Sequence, residues 1–387
     1  MALPERPKRV DLSTPPPFTF MVGVDLSRFD ILRQRIDDAL VRLERLPRTP
    51  RVSAVLEREV HACGVLYTSR IEGGVLTEAE INAALDRPNG SDRSESVRRV
   101  INIGSACRFV SEAAAAPGWS LTTGFIRKVH EILSEGVPHD RNRPGELRDG
   151  SGPEPRPVGD ESHGGLYMPP IATADVERLF DALVSWHGEI AGSGVPAAVR
   201  APLVHLYFEL IHPFVAGNGL VGRLLEAAIL IASGQRLVPF PIWRFYAERS
   251  DRFFSLFNEC RKAAAAGEAD PNSAFVGFHL EATLSAVERL HDRGNSIVAG
   301  LLFEGEVRRL KDDGEINLRQ FAVLSHLMES GEAVALDRLR RAPWYEGLYR
   351  GMADKTKQRD LKQLRENELV KMDDMGMLSL GFSRPPV

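Results

Sequence analysis

The chain has 387 residues, with 49 lysines and arginines against 53 aspartates and glutamates and a formal net charge of -4. That balance gives no whole-chain attraction to nucleic acid or to an acidic membrane surface. The length suffices for two or three domains, and the 3 cysteines (Cys63, Cys107, Cys260) are odd in number, lack metal-ligand spacing and fit a reducing compartment.

The start, Met1 to Arg9, has no apolar signal core, and no apolar run is long enough to cross a bilayer, Leu224–Ala232 included. A cytoplasmic location without membrane contact is expected. The proline-rich head to about Phe20 reads as an extended arm. Asp25–Leu46 and Val52–Ile71 carry apolar residues at helical spacing. Thr77-Glu78-Ala79-Glu80 reads as a capped helix start. Val97–Ala116 is a further helix, and Leu121-Thr122-Thr123 opens the one that contains His130, read as a structural histidine. The stretch from Arg148 to Tyr167 is rich in Gly and Pro; Gly150-Ser151-Gly152-Pro153 and Gly164-Gly165 mark turns, with few strand formers between them. Thr173–Glu189 reads as a helix against the core. Trp243 to Ala266 reads as one helix whose Phe253, Phe254 and Phe257 belong to the core rather than to a base-stacking platform.

The most informative stretch runs His212-Pro213-Phe214-Val215-Ala216-Gly217-Asn218-Gly219-Leu220-Val221-Gly222-Arg223. It joins an apolar helix, Pro202–Ile211, to another, Leu220–Ser233. Gly217 and Gly219 let successive N–H groups aim at one point. The helix start behind them favours an anion. Asn218 offers an amide to a phosphate or a metal-bound water. Arg223, about one turn into the helix, reaches a phosphate with two N–H groups. His212, at the rim of the turn, suits a general base. Pro213 and Phe214 wedge the turn against the core. Each part alone is ordinary, since Gly-Asn-Gly is a common turn. Their order together points to a base beside a triphosphate site.

That order resembles the Fic (Fic/Doc) family pattern, H-x-F-x-[D/E]-G-N-G-R-x-x-R. Pro144-Gly145-Glu146-Leu147-Arg148 and Tyr167-Met168-Pro169-Pro170 resemble the two sides of the family's β-hairpin flap, and about the middle half of the chain fits. The resemblance implies AMP transfer from ATP to a protein Ser, Thr or Tyr hydroxyl. His212 would take the hydroxyl proton, while Gly217, Asn218, Gly219 and Arg223 would bind the nucleotide. The flap would hold the target segment main chain to main chain. Upstream, Thr68-Ser69-Arg70-Ile71-Glu72-Gly73 resembles the family's inhibitory helix signature, [S/T]-x-x-x-E-[G/N]. Glu72 would then occupy Arg223 and exclude the γ-phosphate, because one guanidinium fork cannot hold both.

Two positions depart from the pattern. Ala216 stands where the family has the carboxylate that holds Mg²⁺, so ATP is expected as substrate and no metal ligand is assigned; either Mg²⁺ is not held by the protein or another residue holds it. Leu220 stands where the family has the first arginine. Both losses fall on charge neutralisation of the triphosphate. Two functions therefore stay open. One is an autoinhibited adenylyltransferase, degenerate in its metal and γ-phosphate sites. The other is a catalytically weak or inactive nucleotide-binding regulator that acts through its C-terminal domain. Phosphocholine or phosphate transfer, as in divergent members, is a third.

Beyond a helical connector from Ser273 to about Lys311, Leu318–Met328, Leu336–Arg341 and Lys355–Leu364 read as helices. Leu369–Met372 and Met377–Leu380 read as strands. This outline, with Thr356-Lys357-Gln358-Arg359-Asp360-Leu361-Lys362-Gln363-Leu364, resembles a winged helix and its recognition helix. Lys355, Lys357, Arg359 and Lys362 are the candidate DNA contacts; Asp354, Asp360, Glu366 and Glu368 dilute that face. The expected fold class is mainly α, a Fic-type helical core with a β-hairpin flap plus a C-terminal winged helix-turn-helix. The expected domains are 1–115 (helical, with the inhibitory helix), 116–272 (Fic core), 273–310 (connector) and 311–387 (winged helix). The resemblance also admits a homodimer.

Overall fold

In the computed structural model the described residues are 7–86, 94–139, 142–149 and 157–382. They fall into two units, one of residues 1–45 and 53–290, the other of 46–52 and 291–387. The boundary lies within the stretch expected to be a connector.

The first unit begins with two antiparallel strands, β1 (Lys8–Val10) and β2 (Phe18–Phe20). The expected extended arm forms these two strands and docks on the helix Thr173–Gly192. Lys8 Nζ donates to Ser185 Oγ and Glu189, and Phe20 is 0% exposed with its ring 5.5 Å from that of Trp186. Burial of this one aromatic side chain holds the head down. Helix α1 (Asp30–Glu44) starts later than the sequence suggests, after a 3-10 turn that Asp25 caps. Next come α2 (Pro50–Ile71), α3 (Glu78–Leu85), α4 (Glu95–Ala114) and α5 (Thr123–Ser134). The capping box at α3 is present: Thr77 Oγ1 accepts from Glu80 N, and the Glu80 carboxylate accepts from Thr77 N.

The expected flap is corrected. Its strands are β3 (Val158–Asp160) and β4 (Gly165–Tyr167), joined by the turn at Gly164-Gly165, whereas Pro144–Arg148 forms no strand. Gly159, Gly164 and Gly165 all have positive φ, a backbone unsuited to longer β structure. The expected turn at 150–153 lies outside the described residues.

Helices α6 (Thr173–Gly192), α7 (Ala197–Ile211) and α8 (Asn218–Ala232) form the centre. α7 packs along α8, α6 packs on α7, and α4 and α5 pack on α8. Leu203, Leu206 and Phe208 of α7 and Val221, Leu225 and Ala228 of α8 are 0% exposed, as expected of helices apolar on every face. The stretch read as one helix from Trp243 is two, α9 (Pro239–Glu248) and α10 (Ser250–Ala265). Arg249 breaks it with φ -131 and ψ 42, away from helical values. Helix α11 (Ser273–Asp312) follows.

The second unit contains α12 (Leu318–Ser330), β5 (Val334–Ala335), α13 (Leu336–Arg340), α14 (Pro343–Leu348), α15 (Asp354–Glu366), β6 (Val370–Met372) and β7 (Met377–Leu380). Its sheet has the antiparallel order β5-β7-β6, and Leu324, Leu339, Tyr345, Leu364 and Leu378 share one core. Neither β5 nor α14 is foreseen from the sequence; each is too short to show a period. Among the described residues no helix is long and apolar enough to cross a membrane. The three cysteines are free.

The docked head makes Phe20 a core residue. Phe20→Ala is expected to cost about 3–5 kcal/mol of stability, read as a lower midpoint in chemical denaturation. A free arm would give no change.

Candidate functional site

The loop between α7 and α8 takes its shape from two left-handed residues. His212 closes α7 with φ 50 and ψ 58, its N–H donating to Phe208 O at 2.9 Å. Gly217, with φ 81, caps the start of α8. The first N–H groups of α8 have no intrahelical acceptor, so the loop ends on a patch of positive potential.

Four side chains fix this loop. Asn218 is 2% exposed; its Nδ2 donates to Phe214 O and its Oδ1 accepts from Phe214 N, both at 2.9 Å. The expected role of its side chain on a phosphate or metal-bound water is therefore corrected: both ends of the amide are used inside the protein. Phe214 is 0% exposed and stacks on His130 with ring centroids 3.8 Å apart. Gly145 N donates to His130 Nδ1 at 3.0 Å, which places the His130 proton on Nε2, 3.1 Å from Ala216 O. Arg148 donates from Nε to His212 O at 2.7 Å, from Nη2 to Ile211 O and to Pro170 O, and from its backbone N to Pro213 O. The segment expected as one side of the flap thus brackets the loop instead. His130 is structural, as the sequence suggests, but it is also a direct partner of the motif, 86 positions away in the chain. No local spacing signals that contact.

Arg223 lies one turn inside α8 and is 1% exposed. A buried guanidinium needs an anion. Its Nη2 donates to Glu72 Oε1 at 2.5 Å and its Nε to Thr68 Oγ1 at 2.8 Å. Glu72 stands just past the end of α2, where Gly73 (φ 79) turns the chain and Gly74 N donates to Ser69 O. A Cβ at Gly219 would sit 2.7 Å from Glu72 Oε1 and 3.3 Å from Arg223 Nη1. Gly219 therefore gives the carboxylate room to approach, besides freeing the turn.

Glu72, Gly219 and Arg223 line a cavity of about 370 Å³, within the range of small-molecule sites. The flap contributes Asp160, His163 and Tyr167. α7 contributes His205 and Glu209, and α10 contributes Phe253, Phe254, Phe257 and Asn258. His212, Gly217 and Asn218 are not among the lining residues, although Gly219 next to them in the chain is. Phe253 is core as expected, but Phe254 and Phe257 are only half-buried and face this space. The flap is tied down: Asn258 Nδ2 donates to Gly165 O at 2.7 Å, and Lys262 Nζ donates to Gly164 O at 2.7 Å. His163 bridges Asp160 at 2.7 Å and Asp251 at 3.4 Å. Hydrogen bonds from Ser162 and His163 hold the Asp160 carboxyl down to about 2, and the Asp160 hydrogen bond raises His163.

Below the cavity, Glu226 is fully enclosed. Its Oε2 accepts from His205 Nδ1 at 2.8 Å and its Oε1 from the Tyr246 hydroxyl at 2.9 Å. Burial alone would raise this carboxyl; the neighbouring His279 and His205 override it and hold it at about 2. Neither Glu226 nor Glu209 is singled out by the sequence reading, since a lone Glu in an apolar helix carries no motif.

On α15, Lys355, Arg359 and Lys362 are exposed and Lys357 is half-buried. Lys357 pairs with Asp354 at 3.0 Å and Lys362 with Glu366 at 3.5 Å. Asp360 does not dilute this face, as the sequence reading has it. It is 2% exposed and accepts from Arg319 Nε, Asn317 Nδ2 and the Tyr349 hydroxyl inside the unit.

Burial pushes His130 down to about 4, more than the Ala216 carbonyl pulls it up. Its contribution is therefore complete above the ordinary histidine value and is lost as pH falls toward 4, because the unfolded chain takes the proton first. The loss is roughly 3 kcal/mol at most. His187, also pushed to about 4 by burial beside Arg200, adds to the same slope. Melting temperature is expected to fall between pH 6.5 and 4, and His130→Gln to flatten part of that fall.

Residues 120–230 match the Fic/DOC family. Over 233 residues the chain is 26% identical to protein adenylyltransferase fic-1 of Caenorhabditis briggsae, covering 59% of this chain and 41% of that one. It thus spans about two fifths of the length of the curated relative. A Fic family protein from Desulfovibrio desulfuricans shares the fold with a TM-score of 0.53 and 19% identity, covering 96% of this chain and 100% of that one. A Fic domain containing signaling protein from Bacteroides thetaiotaomicron does so with a TM-score of 0.56 and 18% identity, covering 67% and 97%. The loop, the α8 start and Arg223 all fall inside the residues that match the Fic/DOC family.

Proposed function

We propose that this protein transfers AMP from ATP to a protein Ser, Thr or Tyr hydroxyl and that Glu72 restrains it. The Glu72–Arg223 ion pair at the cavity carries this reading. Further support comes from the name of the curated relatives, protein adenylyltransferase. In the reaction His212 takes the hydroxyl proton while the oxygen attacks the α-phosphorus. The bond to pyrophosphate breaks, and pyrophosphate leaves with the electron pair. The Gly217–Gly219 backbone at the start of α8 and the Arg223 guanidinium are the groups for the leaving charge. Arg223 serves a phosphate only after Glu72 has left it. The flap offers main-chain groups to the target segment.

Ala216 supplies no carboxylate, and among the described residues no group of three or more His, Cys, Asp or Glu is placed to hold a metal ion. Without a carboxylate at position 216, the loop does not fit a Mg²⁺ held from that position. Leu220 likewise supplies no guanidinium. Removing one charge-stabilising group typically costs about 2.7–4 kcal/mol of barrier, so a slow enzyme is the expectation. With labelled ATP, Glu72→Gly is expected to raise incorporation at least about tenfold by freeing Arg223, and Glu72→Gly with His212→Ala to abolish it. Label that persists without His212 rules out this chemistry.

The second reading is a nucleotide-binding regulator. Ala216 and Leu220 favour it, as does the second unit, whose α12 to α15 and three-stranded sheet support a winged helix. Lys355, Lys357, Arg359 and Lys362 of α15 are then the groups for DNA phosphates. Duplex DNA retained at low salt, with affinity falling steeply as salt rises, is the expected outcome. Absence of binding at low salt sinks it.

A further inference from the structure

We propose that Glu209 is the positioning residue of His212, holding the proton on Nδ1 and leaving Nε2 as the basic nitrogen. Its chemical purpose rests on the AMP-transfer reading; the contact itself does not. Glu209 and His212 lie three positions apart at the end of α7, with Glu209 Oε2 3.6 Å from His212 Nδ1. The left-handed backbone of His212 ends the helix within reach of its own last turn. Their side chains are 13% and 25% exposed. Nδ1 is buried and has no hydrogen-bond partner, and neither has Glu209 Oε1.

A buried ring nitrogen facing a carboxylate has one favourable state. A lone pair there would meet the carboxylate charge, whereas an N–H meets an acceptor. The separation is just beyond a hydrogen bond, and such contacts are commonly loose before substrate arrives. A small torsion of Glu209 closes it.

Glu209 is itself set in a polar stripe. His205 and Glu209, four positions apart, share one face of α7, and His212 follows at its end. A Cβ at Gly222 of α8 would lie 3.0 Å from His205 Nε2 and 3.2 Å from Glu209 Oε1. Glycine there leaves both atoms their space. His205 Nε2 is also buried without a partner, while its Nδ1 donates to Glu226. Glu209 thus stands between two imidazoles, one anchored by a buried carboxylate and one at the motif. When the target hydroxyl passes its proton to Nε2, the resulting imidazolium keeps its Nδ1 proton against the Glu209 carboxylate, which stabilises the new charge.

The test uses the full chain with ¹⁵N-labelled histidine, the His212 resonances being assigned by their loss in His212→Gln. In the wild type the Nδ1–H tautomer of His212 is expected to dominate. In Glu209→Leu the Nε2–H form is expected to rise several-fold. Tautomer populations that do not change overturn the proposal. Glu209→Gln keeps the size and one acceptor oxygen, so it decides the matter if the leucine variant does not fold. In the Glu72→Gly background it is expected to lower kcat at least about tenfold with KM for ATP within about twofold. An unchanged kcat overturns the proposal. If no variant transfers AMP but the tautomer responds to Glu209→Leu, the positioning contact stands and the transferase reading falls.

Discussion

A guanidinium buried to 1% exposure cannot stand without an anion, and the resting architecture of this site follows from that constraint. Arg223 is carried into the interior by an apolar helix whose neighbours leave it little water. Glu72 meets the need from outside the matched family residues, at the end of α2. Thr68 takes the remaining side of the fork. The glycine at 219 leaves room for the Glu72 carboxylate, which a Cβ there would crowd. Under the proposed reading, an anion that enters the cavity would compete with Glu72 for Arg223.

The loop that joins α7 to α8 is held by a separate set of contacts. Phe214 stacks on His130, Asn218 closes on the Phe214 backbone, and Arg148 gathers carbonyls from three residues. None of these uses position 216 or 220 through a side chain. Loop geometry therefore does not rest on the side chains of Ala216 and Leu220. This accounts for a site whose backbone is intact while two of its expected charges are missing.

The sequence reveals what is local. Glycines at 217 and 219, an apolar helix on either side and a carboxylate before Gly73 can all be read from order and spacing, and the capped starts at Thr77 and Thr122 follow from single side chains. The sequence hides what depends on a partner far along the chain. His130 reaches Ala216, Lys8 reaches Glu189 and Asp360 turns inward to Arg319. Periodicity describes one helix against an unspecified interior, so it cannot say that Glu209 faces His212 rather than solvent. The flap strands are not legible in the sequence, because three-residue strands with left-handed glycines have no alternating pattern to detect.

The brevity of the flap limits recognition. A strand of three residues is about 10 Å long, and a segment laid against it gains two or three main-chain hydrogen bonds worth roughly 1 kcal/mol each. That corresponds to affinity no better than the order of millimolar. A docked peptide would therefore be aligned rather than selected there. Under the transfer reading, discrimination between targets would then come from surfaces beyond the hairpin, and the hairpin would tolerate many sequences.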